Sequence, residues 1–245
     1  MVVLEENVKS GRSTPEIDFM YYYAFFLKIQ RFKAHKKANQ GILPGHAMIV
    51  ESDMNRIRSE LESRMESLDG FLLYVLGLVL IEQSQVERAR EILLSSVTKY
   101  PCNWSAWKAL MLACRDYAGT KSLALPDHFM SDFFQAHMLV DLQHCEEALT
   151  IAESLSVDFP HSTATLSVIA MALNHLRNYD EAQVVFGTIL THWPNTIEVC
   201  FYTWFCSGVF HVMLYMYDVE YGCIFQYIVC ERGQCSIDSL GKETG

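Results

Sequence analysis

The sequence predicts an all-α fold, a solenoid of antiparallel helix pairs with one incomplete repeat. Three observations carry it. Residues 144–160, HCEEALTIAESLSVDFP, and 178–194, NYDEAQVVFGTILTHWP, read as one amphipathic helix written twice, 34 residues apart. Ala148 and Ala182 stand early in the two copies, and Pro160 and Pro194 end them. A third copy at 85–101, QVERAREILLSSVTKYP, runs from Ala89 to Pro101 with the same offset of twelve. Finally, 51% of the 245 residues are apolar and only 12 are Gly and 6 Pro, so the chain is rich enough in core-forming residues to bury a substantial interior.

The offset extends backwards. Twelve residues before each Ala stands a small residue, Gly77, Ala136 and Ala170, and an aromatic ring precedes each Pro: Tyr100, Phe159 and Trp193. This is the tetratricopeptide-repeat pattern, in which each 34-residue unit is a pair of antiparallel helices. The small residue and the later Ala lie where the two helices cross, and a larger side chain there would push them apart. Leu93 and Phe186 follow their Ala by four and share its buried face. The Pro lacks an N–H, clashes with the preceding turn and so ends the second helix.

Taken in order, residues 1–15 are expected to be disordered. Residues 16–32, EIDFMYYYAFFLKIQRF, predict an aromatic-rich helix. Residues 33–55, with two Gly and a Pro, predict a flexible loop, and 56–68, RIRSELESRMESL, a charged helix that closes an N-terminal segment at 69. The repeat array is expected over 70–198. Its first repeat carries Leu73, Leu76, Gly77, Leu80, Ala89, Leu93 and Pro101, and its last Leu166, Ile169, Ala170, Leu173, Ala182, Phe186 and Pro194. Between them Ala89 and Ala148 are 59 residues apart, short of two whole periods. Trp107 and Leu110 begin a normal first helix, and AGTKSLALPD at 118–127 replaces its partner with an irregular crossing.

After Ile197 and Glu198 the phase fails: Trp204, Met216 and Ile228 stand where a small residue, an Ala and a Pro belong. Residues 199–245 form a divergent, apolar tail that holds five of the eight cysteines. Its segment 199–217 has no Asp, Glu, Lys or Arg and reaches the minimum length of a membrane span. His211, Thr203, Ser207 and its Tyr and Trp rings make it a poor one, and no membrane association is expected.

Charge and cysteine usage exclude further classes. A net charge of −10 opposes nucleic acid as a partner. The basic cluster of Lys28, Arg31, Lys33, Lys36 and Lys37 reads as the solvated end of a helix. Without a signal peptide in MVVLEENVKS the cysteines are expected to be reduced thiols in the cytosol or nucleus. Cys230 and Cys235 have no second half of a zinc motif, and no cofactor or metal is expected. His128, His137 and His144 are spaced nine and seven apart, which gives no short metal pair. No GxSxG, phosphate loop or paired-carboxylate motif occurs, and the chain reads as non-enzymatic.

LDGFLLYVLGLVL at 68–80, NWSAW at 103–107 and LALPDHFMSDFFQAHMLVDLQHCEEAL at 123–149 resemble one family: subunit eight of the anaphase-promoting complex, or cyclosome, a cell-division-cycle tetratricopeptide subunit. The string Leu125, Pro126, Asp127, Phe133, Phe134, Ala136 and His137 is not part of the generic repeat and carries most of the likeness, which covers roughly residues 16–198. The resemblance implies a non-catalytic scaffold subunit of a ubiquitin ligase that acts at the metaphase–anaphase transition, in nucleus and cytoplasm. It implies partners among the other subunits of that complex, and a homodimer formed through N-terminal repeats. Within this chain Phe19, Tyr22, Tyr23 and Phe26 are the candidate interface, with a cap on the solenoid as the plainer role for the same helix. The family holds its β-propeller coactivator in C-terminal repeats that this chain does not match, so coactivator binding is not expected of it.

The competing reading is a free-standing adaptor that grips a peptide or partner helix. A carboxylate clamp needs Lys and Asn at the inward places of the first helices. Those places hold Tyr74 and Leu78, Lys108 and Leu112, Ser167 and Met171, so only one cation is present.

Overall fold

The computed structural model describes residues 14–38, 44–114, 117–193, 211–215, 226–231 and 234–237. It divides into two compact units, residues 1–134 and 135–245, which are taken separately. Unit 1 holds α1 (Pro15–Ala38), α2 (Pro44–Glu62), a 3₁₀ turn (Met65–Ser67), α3 (Gly70–Glu82), α4 (Val86–Lys99), α5 (Trp104–Ala113) and α6 (Tyr117–Lys121). The division falls inside α7 (Phe129–Asp141), and unit 2 continues with α8 (Cys145–Asp158), α9 (Thr163–His175) and α10 (Tyr179–His192). The fold class is that of an all-α tetratricopeptide-repeat helical-hairpin solenoid.

The two complete hairpins at either end of the array show why the phase works. In the first, α3 is GFLLYVLGLVLIE, apolar on nearly every side, and it packs against α1, α2, α4 and α5. Asp69 caps it by accepting the Leu72 N–H at 2.8 Å. A Cβ built on Gly77 would meet Leu93 Cγ and Cδ2 at 2.5 Å, so any side chain at the crossing of α3 and α4 would force Leu93 to shift. In the last hairpin Ala170, Leu173, Ala182, Phe186 and Ile189 form one buried cluster, with Leu149 of α8 packed on it. Ser162 caps α9 by accepting from the Thr165 N–H at 3.4 Å.

The turns repeat at backbone level. Ser84, Gln143 and Arg177, each five residues before its Ala, have φ of 60°, 64° and 61°. At each turn the next residue's N–H reaches back to the first helix: Gln85 to the Leu80 carbonyl at 2.9 Å, His144 to Leu139 at 2.8 Å, Asn178 to Leu173 at 2.9 Å. The left-handed residue donates in turn to Ile81, Val140 or Asn174, which completes a Schellman motif three times over. None of the three residues is glycine.

Four expectations are corrected. Residues 33–55 are not a loop, because α1 runs on to Ala38 and α2 begins at Pro44. Pro44 stands at the first helical position, where its missing N–H costs nothing, and so starts a helix rather than breaking one. The charged helix ends at Glu62 and gives way to the 3₁₀ turn instead of running to 68. The crossing at 118–127 contains a short helix, α6, before the chain turns at Pro126, whose carbonyl accepts from Ser131 Oγ at 2.6 Å. The tail adds strands the sequence reading did not anticipate: β1 (His211–Tyr215), β2 (Gln226–Glu231) and β3 (Gln234–Ile237), antiparallel in that order. HVMLY and QYIVCE are rich in β-branched and aromatic residues, and Glu231 pairs with Gln234 across a two-residue connection.

Residues 1–13, Pro194 and the rest of the tail lie outside the described residues, so the expectations placed on them are not addressed. Among the described residues no helix is long and apolar enough to cross a membrane.

Candidate partner-binding surface

The repeat residues singled out by the phase face inward. Ala89, Ala136, Ala148, Ala170 and Ala182 are fully buried, as are Trp107 and Phe186. Trp107 Nε1 donates to the Pro101 carbonyl at 2.7 Å, and its ring lies 5.2 Å from Phe134, so the tryptophan ties the end of α4 to α5 and α7. Pro101 is half-buried and Pro160 exposed. The buried ones among these positions set the shape of the hairpins.

The inward places of the first helices divide differently. Tyr74 is buried, because α1 lies along α3: Tyr23 sits 6.2 Å from the Tyr74 ring, Phe19 sits 5.3 Å from Phe71, and Lys33 reaches Glu82 at 2.6 Å. Leu78, Ser167 and Met171 are half-buried, and Lys108 is exposed. Leu112 is 65% exposed on α5.

The four aromatic residues proposed for an interface split between two environments. Tyr22 and Phe26 are buried within the chain itself, at 2% and 3% exposure. Phe19 and Tyr23 are half-buried and stack on each other at 5.4 Å with planes 11° apart. A polar network joins α1 to α2 around Tyr22. The Tyr22 hydroxyl donates to Glu60 Oε2 at 3.1 Å, Arg64 reaches Asp18 Oδ2 at 2.9 Å, and Arg56 reaches both Glu60 at 2.9 Å and the Tyr21 hydroxyl at 3.2 Å. Burial, and then the Glu60 charge, push the Tyr22 phenol well above its usual value, so it stays a donor. Sequence reasoning missed this network, though its signal was present. Arg56 and Glu60 fall four residues apart, as do Asp18 and Tyr22, which puts each pair on one helix face, and Arg64 follows just past the end of α2.

His128 stacks on Phe129 at 4.3 Å, and His144 lies 3.9 Å from Glu147. Burial lowers the His137 pKa, opposed in part by Asp141. Among the described residues no group of three or more His, Cys, Asp or Glu is placed to hold a metal ion. Cys102 and Cys145 carry free thiols, and burial raises the Cys145 pKa.

Helical hairpins in a common phase, crossing at small residues, define the class as a tetratricopeptide-repeat protein. The family model for Anaphase promoting complex subunit 8 / Cdc23 matches residues 4–170, and the chain belongs to that family. Anaphase-promoting complex subunit 8 of Dictyostelium discoideum is 43% identical over 135 residues, covering 54% of this chain and 23% of that protein. The human cell division cycle protein 23 homolog is 30% identical over 191 residues, covering 77% of this chain and 32% of that protein. Subunit 8 of Arabidopsis thaliana is 30% identical over 182 residues, covering 74% and 31%. The chain thus spans a quarter to a third of the length of these relatives.

Proposed function

We propose that the chain is a non-catalytic scaffold component of the anaphase-promoting complex, a ubiquitin ligase of mitotic cell-cycle control, working in nucleus and cytoplasm. The single observation that carries this reading is the family match across residues 4–170. The hairpins support it: their phased residues are consumed in packing, which suits a part that supplies shape rather than chemistry. Partners would be the other subunits of the complex, with a second copy of this chain among them through α1 and its neighbours. Coactivator binding forms no part of the reading.

The test is purification of the tagged full chain from dividing cells, followed by mass spectrometry. Recovery of the other complex subunits in comparable amounts supports the scaffold. A folded chain that recovers none contradicts it. One observation favours a second reading, a free-standing adaptor: the exposed Leu112 and Lys108 give α5 a face suited to a peptide. Recovery of one soluble protein without complex subunits would support that instead.

A further inference from the structure

Charge is segregated along the chain in a way that the repeat phase does not require. Residues 19–50 hold five of its 19 Lys and Arg and none of its 29 Asp and Glu, in a protein of net charge −10. From sequence alone this cluster reads as a solvated helix end. The structure adds a second feature at the same place. Met20 is 57% exposed and Leu27 37%. Ala24 is half-buried, and Arg31 and Ala34 are exposed. Positions 20, 24, 27, 31 and 34 advance in alternating steps of four and three, the spacing of a seam by which one helix meets another. Lys28 and His35 follow Leu27 and Ala34 by one, at the flank of that seam, and both are exposed. The chain's own core takes a different face of α1, through Tyr22, Phe26 and Ile29.

We propose that this exposed seam of α1 docks an amphipathic helix of another protein, one whose apolar seam is flanked by Asp or Glu. The spacing calls for a helix, since a second helix presents its side chains in the same alternating steps of three and four, whereas one face of an extended segment repeats about every 6.6 Å and falls out of step with α1. The flanks call for carboxylates. Lys33 is already engaged by Glu82, but the exposed Lys28, which lies over the Phe25 ring at 5.9 Å, and Arg31 in the seam would be desolvated by a neutral helix and paired by an acidic one. A nucleic acid is disfavoured, because phosphate binding draws on many cations, gains nothing from Met20 and Leu27, and is opposed by the net charge of −10. Two copies paired in parallel through the seam would set Lys28 and Arg31 against their own images. The proposal deepens the scaffold reading and rests on it only for the existence of a partner; its test uses a synthetic helix, so either can fail alone.

The probe is a fluorescein-labelled three-heptad peptide with Leu along the seam and Glu at the flanks, beside a twin with Lys for Glu. Both are titrated with the purified full chain and followed by fluorescence anisotropy. The Glu peptide is expected to bind at least tenfold more tightly than its twin, and added salt should shrink that margin. Lys28→Glu with Arg31→Glu should reverse the preference, and Lys28→Gln with Arg31→Gln should abolish it, each with an unchanged helical spectrum. Equal binding of the twins, no binding of either, or a preference that survives both variants overturns the proposal. So does displacement of the peptide by a short DNA duplex. Binding that appears only after removal of residues 2–13 would assign the seam to the chain's own N-terminus and overturn it too.

Discussion

The hairpin α9–α10 and the pair α1–α2 both join two helices, yet they are held by different means. In α9–α10 the contact runs through Ala170, Ala182 and Phe186, and backbone hydrogen bonds close the turn around Arg177. In α1–α2 side-chain hydrogen bonds join Tyr22, Glu60, Arg56, Asp18 and, just past the end of α2, Arg64, each of which must reach another. The difference teaches what a repeat is. At a phased place the requirement is size or backbone conformation, so Ser84, Gln143 and Arg177 serve one role with three unrelated side chains. In the N-terminal pair the requirement is chemical, and each partner specifies another.

That contrast can be broken by substitution, and the largest effect is expected in the N-terminal pair. Tyr22→Glu with Phe26→Glu puts two charges at buried places, the first of them facing the Glu60 carboxylate, a mechanism that belongs to losses above about 4 kcal/mol. Urea unfolding should show the cooperative transition lost or moved to very low denaturant; an unchanged midpoint would mean that α1 does not need this face. Ala182→Leu should cost about 1–3 kcal/mol by overpacking the crossing, seen as a lower Tm, while Lys108→Ala at an exposed place should leave it within error.

Effects of opposite sign sharpen the comparison. Glycine at Ser84, Gln143 or Arg177 removes the cost of a Cβ at positive φ and should stabilise each turn by about 0.5–1 kcal/mol. Their separate locations should make the three gains nearly additive in denaturant midpoints. The smallest effect is that of His137. Burial holds its folded-state pKa below 6.5, so the unfolded chain takes up a proton first as pH falls. Its contribution is therefore complete above pH 6.5 and is lost as pH drops from there toward the folded-state value. His137→Asn should lower less steeply in Tm than the parent chain between about pH 7.5 and about pH 5.5.

The sequence made the repeats legible because their rule is periodic. A small residue twelve before an Ala, and a Pro twelve after it, survive any change of neighbouring side chains. Gly77 and Ala182 were therefore placed at their crossings without knowledge of Leu93 or Phe186 as contacts. The N-terminal pair was less legible, since Pro44 and Gly45 carry the ordinary signal of a break and only helix phase turns Pro44 into a first residue. Tyr22 and Phe26 read as surface because α1 is apolar on more than one side. Which side faces inward depends on Arg56, Glu60 and Arg64, residues far along the chain. The strands of the tail were hidden by a composition that reads as apolar without period.

Phase, rather than residue type, decides what a position does, and two glycines test this most directly. A Cβ on Gly77 would meet Leu93 at 2.5 Å, while a Cβ on Gly187 in α10 would meet nothing within 4 Å. Both stand inside helices, where alanine gains up to about 1 kcal/mol over glycine from propensity alone. Calorimetry of Gly77→Ala and Gly187→Ala in the full chain should give shifts of opposite sign. Gly187→Ala is predicted to raise Tm by its propensity gain. Gly77→Ala is predicted to lower it, since Leu93, itself fully buried, would have to shift and overpacking costs about 1–3 kcal/mol. Equal upward shifts would show that the crossing is loose and that the phase does not set the packing.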